Sequence, residues 1–325
     1  MRYVMFGAGA IGGAIGGRLH EHGHDVVLVA RGPHYEALAG RGLELRSPGG
    51  TAVLAVPVAT DVRALELGPD DVVILTTKSQ DTVAALDALG AAAPDVPVVC
   101  AQNGVANERA ALRRFASVYS LCVMLPAVYL EPGVVAAHGA PRTGILDLGR
   151  YPGGVDATAE RIAADLDGSG FSSRAVESPM RVKYQKLLMN LANAFQAVCG
   201  NDPAWGDLYT RARAEALACY EAAGIDCASD EEDRARREGV MRAQPVDGKP
   251  HAGGSSWQSL ARAAGSIETD YLNGEIVLLG RLHGVPTPVN ATIQRVANQA
   301  ARERRPPGSV PVDELLPEFG IENVP

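Results

Sequence analysis

Residues 2–13 read RYVMFGAGAIGG, and this stretch decides how the first half of the chain is interpreted. The run RYVMF at 2–6 predicts a strand, and the stretch from Ala10 to Glu21 predicts a helix. In the G-x-G-x-x-G pattern between them, the first glycine permits a tight turn, the second lets the backbone approach a pyrophosphate, and the third allows close packing of helix and strand. The alternative is a glycine-rich turn that binds nothing. Because a strand precedes the pattern and a helix follows it, we predict a dinucleotide-binding loop formed by Gly7, Ala8, Gly9, Ala10, Ile11 and Gly12.

Short apolar runs alternate with helical stretches throughout the first half of the chain. Further strands are predicted at 25–30, 71–77 and 96–101, and SPGG at 47–50 predicts a hairpin that joins 42–46 to 51–56. Such runs are typical of parallel strands that helices cover on both faces. We therefore expect an α/β fold with an N-terminal, Rossmann-type doubly wound sheet.

The pattern changes near Pro179, a residue suited to begin a long helix. After it, helices are predicted over residues 179–199, 203–223, 229–243, 255–283 and 290–304. The expected organisation is a Rossmann-type domain over 1–178, an all-helical domain over 179–304 and a Pro-rich C-terminal tail over 305–325. The apolar helices of the second domain are compatible with a homodimer.

Composition and charge exclude several classes of protein. The chain has 325 residues, with 30 Lys and Arg against 38 Asp and Glu, so its formal net charge is −8. Nucleic acids and anionic membranes require a basic footprint that this balance does not provide. The five cysteines contain no CxxC pair, and the histidines at 20, 22 and 24 lack ligand spacing, so no metal site is expected. Because no long apolar run and no secretory signal pattern occur, we expect a soluble cytoplasmic protein.

Polar residues follow three of the predicted strands. After the second strand the chain reads Val29-Ala30-Arg31-Gly32, without the carboxylate that an NAD-preferring site uses to bind the ribose 2′-OH. Arg31 is instead suited to pair with a 2′-phosphate, which favours NADPH. Lys78 and Asn103 lie just past the carboxyl ends of the next two strands, where open α/β sheets bind ligands. We expect Lys78 to reach a cofactor phosphate or ribose and Asn103 to bind the nicotinamide ribose or the substrate, although each could equally be a turn residue.

Lysine and asparagine residues recur on one side of the helix that is predicted to start at Pro179. At about 100° per residue, Asn190 lies ~40° from Lys186 on one side and Asn193 lies ~20° from it on the other. A lysine beside fixed amides is suited to donate a proton to a developing alkoxide. A solvent-facing lysine would show the same spacing, and the spacing does not decide between Lys183 and Lys186.

A serine pair and a glutamate complete the candidate residues. Ser255 and Ser256 follow two glycines at the start of a predicted helix, where either hydroxyl could cap the helix and bind a substrate carboxylate. Glu268 could orient a nearby lysine and bind a substrate hydroxyl, or could be an ordinary acidic residue on a helix surface.

Taken together, these stretches resemble the ketopantoate reductase (2-dehydropantoate 2-reductase) family, and they follow that family's order along nearly the whole chain. The resemblance implies a Rossmann domain joined to a helical domain like that of 6-phosphogluconate dehydrogenase. It also implies NADPH-dependent reduction of 2-dehydropantoate to (R)-pantoate, a step of pantothenate and coenzyme A biosynthesis. The matching stretches are GAGAIGG at 7–13, TKSQD at 77–81, QNG at 102–104, KLLMNLAN at 186–193, SSWQSL at 255–260, ETDYLNGEIVLLG at 268–280 and HGVPTPVN at 283–290.

The resemblance also implies roles for particular residues. Lys186 matches the family's catalytic lysine, and Asn190 matches its substrate-binding asparagine. Ser256 matches the family's carboxylate-binding serine. Glu268 matches its acidic partner, and we expect Glu268 to take part in catalysis. The positions matching the cofactor side are Gly7, Gly9, Gly12, Arg31, Lys78 and Asn103, of which Asn103 is also expected to bind the substrate.

One departure from the family pattern keeps alternatives open. The family's second helix asparagine usually lies eight residues after the lysine and precedes Pro-Leu-Thr, whereas Asn193 comes one residue earlier and precedes Ala-Phe-Gln. We still expect Asn193 to bind the substrate. Because the departure falls in the substrate half, the first alternative is a reductase of another small 2-keto acid. The second is a non-catalytic NADPH-binding regulator, although a regulator needs no proton donor.

Overall fold

The structure, a computed structural model, describes residues 1–319. Residue contacts divide it into two compact units, one formed by Met1–Lys183 and Ser229–Ala252 and the other by Tyr184–Ala228 and the residues from Gly253 on. The strands are β1 Arg2–Phe6, β2 Asp25–Val29, β3 Leu43–Ser47, β4 Gly50–Leu54, β5 Val58–Ala59, β6 Asp71–Leu75, β7 Val98–Cys100, β8 Val118–Met124, β9 Ala127–Val128, β10 Val134–Ala137, β11 Gly139–Pro141, β12 Ile145–Arg150 and β13 Met241–Ala243. The helices are α1 Ala10–Glu21, α2 Gly32–Arg41, α3 Thr82–Ala92, α4 Asn107–Leu112, α5 Ala157–Gly168, α6 Pro179–Asn190, α7 Ala192–Cys199, α8 Gly206–Ala223, α9 Asp230–Arg237, α10 Ser255–Ala261, α11 Asn273–His283, α12 Pro288–Arg302 and α13 Val312–Leu315.

The first unit contains a seven-stranded sheet in the order β12-β8-β7-β6-β1-β2-β5. The strands from β8 to β5 are parallel, and β12 runs antiparallel beside β8. Both faces of the sheet are covered: Tyr3 and Met5 of β1 belong to one apolar cluster, and Val4 and Phe6 belong to another. The predicted doubly wound sheet is therefore confirmed.

The register of the sheet aligns the carboxyl ends of its central strands. Phe6 pairs with Val29 on one side and with Leu75 on the other, and Leu75 pairs with Cys100. The residues that follow these strands therefore lie along one edge of the sheet. This edge receives the glycine-rich loop, Arg31, Lys78 and Asn103.

Helix α1 packs closely against neighbouring strands of the first unit, because four of its residues are glycines. A Cβ on Gly13 would lie 2.7 Å from the Val135 side chain, and one on Gly17 would lie 2.9 Å from Leu43. Leu43 belongs to the predicted hairpin, which is confirmed as β3 and β4 and continues into β10 and β9.

The second unit is helical around Phe195, Ile293 and their apolar neighbours on α7, α8, α10 and α12. Val310, Val312 and Leu315 are buried in the same cluster. The described part of the predicted tail thus packs on this core, and residues 320–325 of that prediction lie outside the described residues.

The predicted helix over 179–199 is wrong in one respect, since α6 ends at Asn190 and α7 begins at Ala192. The carbonyl oxygen of Leu191 accepts a hydrogen bond from Asn273 Nδ2 at 3.4 Å. This bond adds a side-chain donor to the carbonyl of Leu191, which is the N-cap residue of α7. Leu191 itself keeps helical dihedral angles, φ −60° and ψ −27°, so the interruption is confined to this one residue.

The predicted helix over 229–243 is also wrong at its end. Helix α9 stops at Arg237, Gly239 adopts φ of +70°, and β13 then pairs with β11. Arg236 donates two hydrogen bonds to the buried Asp147 of β12, at 2.6 and 2.7 Å. These contacts hold residues 229–252 in the first unit, although they lie within the range that was predicted for the helical domain.

The predicted helix over 255–283 is replaced by α10, a 3₁₀ turn over Glu268–Tyr271 and α11. Ala263 and Gly265 adopt positive φ values of 50° and 73°, which a right-handed helix does not accommodate. Within residues 1–319, no helix has both the length and the apolar character needed to cross a membrane.

Candidate active site

The glycine-rich loop is held by contacts that require two of its three glycines. Gly7 adopts φ of +114°, and a Cβ there would lie 2.9 Å from the backbone nitrogen of Thr77. A Cβ on Gly12 would lie only 2.0 Å from the carbonyl oxygen of Gly7. Thr76 Oγ1 donates to that same carbonyl at 2.5 Å. Gly7 and Gly12 are therefore required by the packing of the protein itself.

Gly9 is different, because apart from its own chain neighbours no heavy atom of the described residues lies within 4 Å of the position that its Cβ would take. It is the N-cap residue of α1, which has no side-chain cap among the described residues and no acidic residue in its first turn. The start of α1 thus presents backbone N–H groups and the positive end of the helix dipole. The packing does not require a glycine at this position, whereas close approach of a pyrophosphate does, so the loop fits a dinucleotide.

Arg31 is exposed at the start of α2, where it is the N-cap residue, one position beyond Ala30. The neighbouring carboxylate of Asp61 is bonded to Arg63 at 2.6 Å. Hydrogen bonds from Arg63 are the main cause that lowers the pKa of Asp61, and the charge of Arg31 adds a smaller effect. Arg31 therefore fits the 2′-phosphate of a cofactor, since Asp61 already has an arginine partner.

Lys78 and Asn103 are partly buried. They lie on two loops that a network of side-chain hydrogen bonds connects. Gln102 Nε2 donates to Thr82 Oγ1 at 2.7 Å, and Thr82 Oγ1 donates to Asn107 Oδ1 at the same distance. Asn107 Nδ2 in turn donates to the carbonyl oxygen of Asn103 at 3.1 Å. Sequence reasoning missed Thr82 and Asn107, although each follows a motif that it had singled out.

His34 is a second residue that sequence reasoning missed. It is buried, its Nε2 lies 2.7 Å from the carbonyl oxygen of Ala8, and its Nδ1 accepts the N–H of Gly133 at 2.9 Å. Since Nδ1 is an acceptor, Nε2 carries the proton and donates to Ala8. The imidazole therefore ties the glycine-rich loop to the turn before β10. No signal in the sequence distinguishes it from a surface histidine.

The structure separates the two lysines of α6. Lys183 is buried and forms an ion pair with Glu108, which is fully buried on α4 and also accepts from Ser120 Oγ at 3.1 Å. Burial and the Glu108 carboxylate raise the pKa of the neighbouring Cys100. Lys183 therefore has a structural role in a buried ion pair with Glu108. Lys186, one turn later, is partly exposed.

The remaining candidates lie in the second unit. Asn190, 4% exposed, is the last residue of α6, and Asn193 lies on α7 beside the start of α10, since a Cβ on Gly254 would be 3.1 Å from Asn193 Oδ1. Glu268 is 2% exposed and begins the 3₁₀ turn that leads to Asn273. Asn193 thus lies beside Gly254, the residue that precedes the serine pair.

The predicted serine cap is wrong, because the N-cap residue of α10 is Gly254. Within residues 1–319, the Oγ atoms of Ser255 and Ser256 are buried and have no hydrogen-bond partner. A buried polar group without a partner costs about 1–3 kcal/mol. A carboxylate that accepts from Ser256 Oγ would remove this cost, so the residue fits a substrate-binding role.

No group of three or more His, Cys, Asp and Glu side chains in the described part of the chain is arranged to hold a metal ion.

Comparison with known proteins shows which family the chain belongs to. The family model described as "Ketopantoate reductase PanE/ApbA" matches residues 3–153, and the model of its C-terminal part matches 180–301. The chain is 30% identical over 316 residues to the 2-dehydropantoate 2-reductase of Halobacterium salinarum. The aligned region covers 93% of this chain and 100% of that one. The chain belongs to the ketopantoate reductase family. It is therefore an oxidoreductase of the 2-dehydropantoate 2-reductase type, and the predicted family is confirmed.

Other ketopantoate reductases and related folds agree with this placement. The 2-dehydropantoate 2-reductase of Caulobacter vibrioides is 30% identical over 313 residues, which is 92% of this chain and 98% of that one. The structure of a ketopantoate reductase from Ralstonia eutropha JMP134 superposes with a TM-score of 0.78 at 26% identity, covering 94% of this chain and 100% of that one. D-mandelate dehydrogenase shares the fold, with a TM-score of 0.79 at 22% identity, covering 94% of this chain and 99% of that one.

Proposed function

We propose that the protein reduces 2-dehydropantoate to (R)-pantoate with NADPH, and that Lys186 is the proton donor. Family membership supports the reaction. The observation that carries the assignment of the lysine is the pairing of Lys183 with Glu108, because it leaves Lys186 as the lysine of α6 that is suited to chemistry. A family member of this kind would act in pantothenate and coenzyme A biosynthesis in the cytoplasm, and we propose a homodimer as its assembly.

The proposed roles follow from the chemistry of each side chain. When bound, NADPH supplies the hydride that reduces the keto carbon. Lys186 Nζ donates a proton to the keto oxygen, where negative charge develops. Glu268 orients Lys186 or binds the substrate hydroxyl. The substrate carboxylate and hydroxyl are bound by Ser256, Asn190, Asn193 and Asn103.

The proposed cofactor residues act by shape and by charge. The loop from Gly7 to Gly12 binds the pyrophosphate through its backbone, as the open space at Gly9 supports. Arg31 pairs with the 2′-phosphate, and Lys78 binds a phosphate or the ribose. Asn103 binds the nicotinamide ribose in addition to the substrate.

The test is NADPH oxidation by the purified full-length chain, followed by absorbance, with 2-dehydropantoate, pyruvate and 2-oxoisovalerate in parallel. Because D-mandelate dehydrogenase with the same fold is seen with NADH, each assay is repeated with NADH. Preferential turnover of 2-dehydropantoate with NADPH is expected. Equal turnover with NADH would overturn the assignment of the cofactor, and preference for another acid would overturn that of the substrate.

A second candidate function is reduction of another small 2-keto acid. The observation that favours it is the position of Asn193, which comes one residue earlier than in the family pattern and lies on α7 beside Gly254. A different amide position would change which side chain of a keto acid fits. The same assay decides between the two substrates. NADPH binding without turnover of any keto acid would instead favour the regulator.

A further inference from the structure

We propose that Gln196 is a positioning residue, which sets the hydroxyl of Ser256 for the substrate by holding the backbone of Gly254. The inference rests on the proposed function, because that function gives Ser256 its role as a substrate-binding residue. Gln196 lies on α7 and Gly254 immediately precedes α10, so the contact joins two helices of the second unit that pack against each other.

The contact itself is a single hydrogen bond from the backbone of Gly254 to the side chain of Gln196. Gln196 Oε1 accepts the N–H of Gly254 at 2.9 Å, and the Gln196 amide nitrogen donates to Asn201 Oδ1 at 3.4 Å. Gly254 is the N-cap residue of α10, whose own N–H takes no part in the bonding of that helix. Gln196 therefore fixes a backbone group that the helix leaves unbonded, two residues before Ser256.

The chain around Gly254 has little space to adopt another path. A Cβ on Gly254 would lie 3.3 Å from Gln196 Oε1 and 3.1 Å from Asn193 Oδ1. Gly253 adopts φ of +157°, and a Cβ there would lie 2.6 Å from the indole of Trp257. The amides of α7 and the indole thus enclose the Gly-Gly step from two sides, and Gln196 adds the directed bond that sets its rotation.

The hydroxyl that follows depends on this rotation. Ser256 is fully buried, and its Oγ has no hydrogen-bond partner within the described residues, so no internal bond fixes its direction. Helix α10 has only seven residues, which gives it few internal bonds of its own. Its orientation then depends on its packing against α7 and on the bond from Gln196. A small change at Gly254 would move Ser256 Oγ relative to the amide of Asn193.

The test compares Gln196→Met, which removes the acceptor at similar size, with Gln196→Glu, which retains an acceptor oxygen. For Gln196→Met we expect the KM for 2-dehydropantoate to rise about tenfold, while kcat, the KM for NADPH and Tm change little. Gln196→Glu is expected to give a KM between those of the wild type and Gln196→Met, because it restores the acceptor for Gly254 but adds a negative charge near the bound carboxylate. The matched control is Gln299→Met on α12, a glutamine whose amide donates to Glu303 at 2.8 Å on an exposed surface.

Hydrogen exchange of the Gly254 amide in the full-length chain gives a readout that does not depend on activity. Exchange is expected to be faster in Gln196→Met than in wild type and to be restored in Gln196→Glu. A KM for 2-dehydropantoate that stays at the wild-type value while the amide exchanges faster would overturn the proposal, as would equal exchange in wild type and Gln196→Met. If wild type turns over none of the keto acids, the proposed function fails, and the exchange rates alone then decide whether Gln196 holds Gly254.

A second variant guards against misfolding of the first. A Cβ in Gly254→Ala would press on the side chains of Asn193 and Gln196, whereas one in Gly206→Ala, also in the second unit, would meet no described heavy atom within 4 Å beyond its chain neighbours and its own helix backbone. We expect Gly254→Ala to raise the KM for the keto acid at least as much as Gln196→Met, and Gly206→Ala to leave it unchanged. Equal KM values for the two alanine variants would contradict the proposal.

Discussion

The glycine-rich loop and the serine–asparagine region of the second unit are both proposed to bind ligands, but they are built differently. The loop is held by backbone contacts around its glycines: Gly12 packs on Gly7, and Gly7 packs on the backbone of Thr76 and Thr77, which follow β6, the strand paired with β1. In the second unit, side chains from distant positions set the geometry. Asn273 bonds the carbonyl of Leu191, and Gln196 bonds the N–H of Gly254.

This difference explains which region a linear pattern can describe. A G-x-G-x-x-G pattern carries its own turn and its own helix start, so a dozen residues are enough to signal it, although Thr76 and His34 complete its packing. Leu191, between α6 and α7, is instead contacted by an amide 82 positions later in the chain. Regions held by remote side chains are also those in which single substitutions should alter substrate binding without altering the fold.

The largest expected effect separates chemistry from cofactor binding. Lys186→Ala should lower kcat by about 10²- to 10⁴-fold, because a positioned general acid contributes about that much. Binding of NADPH, which we assign to the loop, should remain near the wild-type value. Steady-state kinetics and fluorescence titration of NADPH measure the two quantities. Lys249→Ala, an exposed lysine of the first unit, is the control and should retain full activity. Turnover near the wild-type rate in Lys186→Ala would remove the lysine from the mechanism.

The second prediction uses the other lysine of α6. Lys183→Met leaves Glu108 fully buried without its cation, and breaking a buried pair costs about 3–5 kcal/mol of unfolding free energy. Replacing both residues, with Lys183→Met and Glu108→Leu, should restore much of the stability because no unpaired charge remains. Urea unfolding of the wild type and the three variants measures this cycle. A double variant no more stable than Lys183→Met would contradict the ion-pair explanation.

The third prediction tests the two roles of glycine within the loop. Gly12→Ala should destabilise the first unit by about 1–3 kcal/mol or more, because its Cβ meets the Gly7 carbonyl at 2.0 Å. Gly9→Ala should leave Tm close to the wild-type value and weaken NADPH binding, since its Cβ meets only open space in the protein. Thermal unfolding and NADPH titration of both variants provide the comparison. Unchanged NADPH affinity in Gly9→Ala would argue against a pyrophosphate at that position.

Much of the first unit could be predicted because its signals are local. The strands before Gly7 and Arg31, the helix after Gly9 and the hairpin at SPGG all follow from short stretches. The predicted role of Ser256 also has support in the structure, although the predicted serine cap does not: Gly254 ends the chain's extended approach to α10, which spacing alone does not reveal. The structural roles of His34, Thr82 and Asn107 could not be predicted, because each role is a hydrogen bond to a residue that is distant in sequence and close only in the fold.

The smallest expected effect concerns the charge of Arg31, which we assign to cofactor binding. Arg31→Ala should weaken NADPH binding by about tenfold, or about 1.4 kcal/mol, since Arg31 is exposed and its pairing with a phosphate is partly screened by solvent. NADH carries no 2′-phosphate, so its affinity should be almost unchanged, whereas Gly9→Ala should weaken both cofactors through the pyrophosphate that they share. Titration of the two cofactors against each variant separates shape from charge, with Arg161→Ala on α5 as the exposed control. Equal losses for NADPH and NADH in Arg31→Ala would show that this arginine does not read the 2′-phosphate. The distinction between the two cofactors would then have to come from another residue at the carboxyl edge of the sheet.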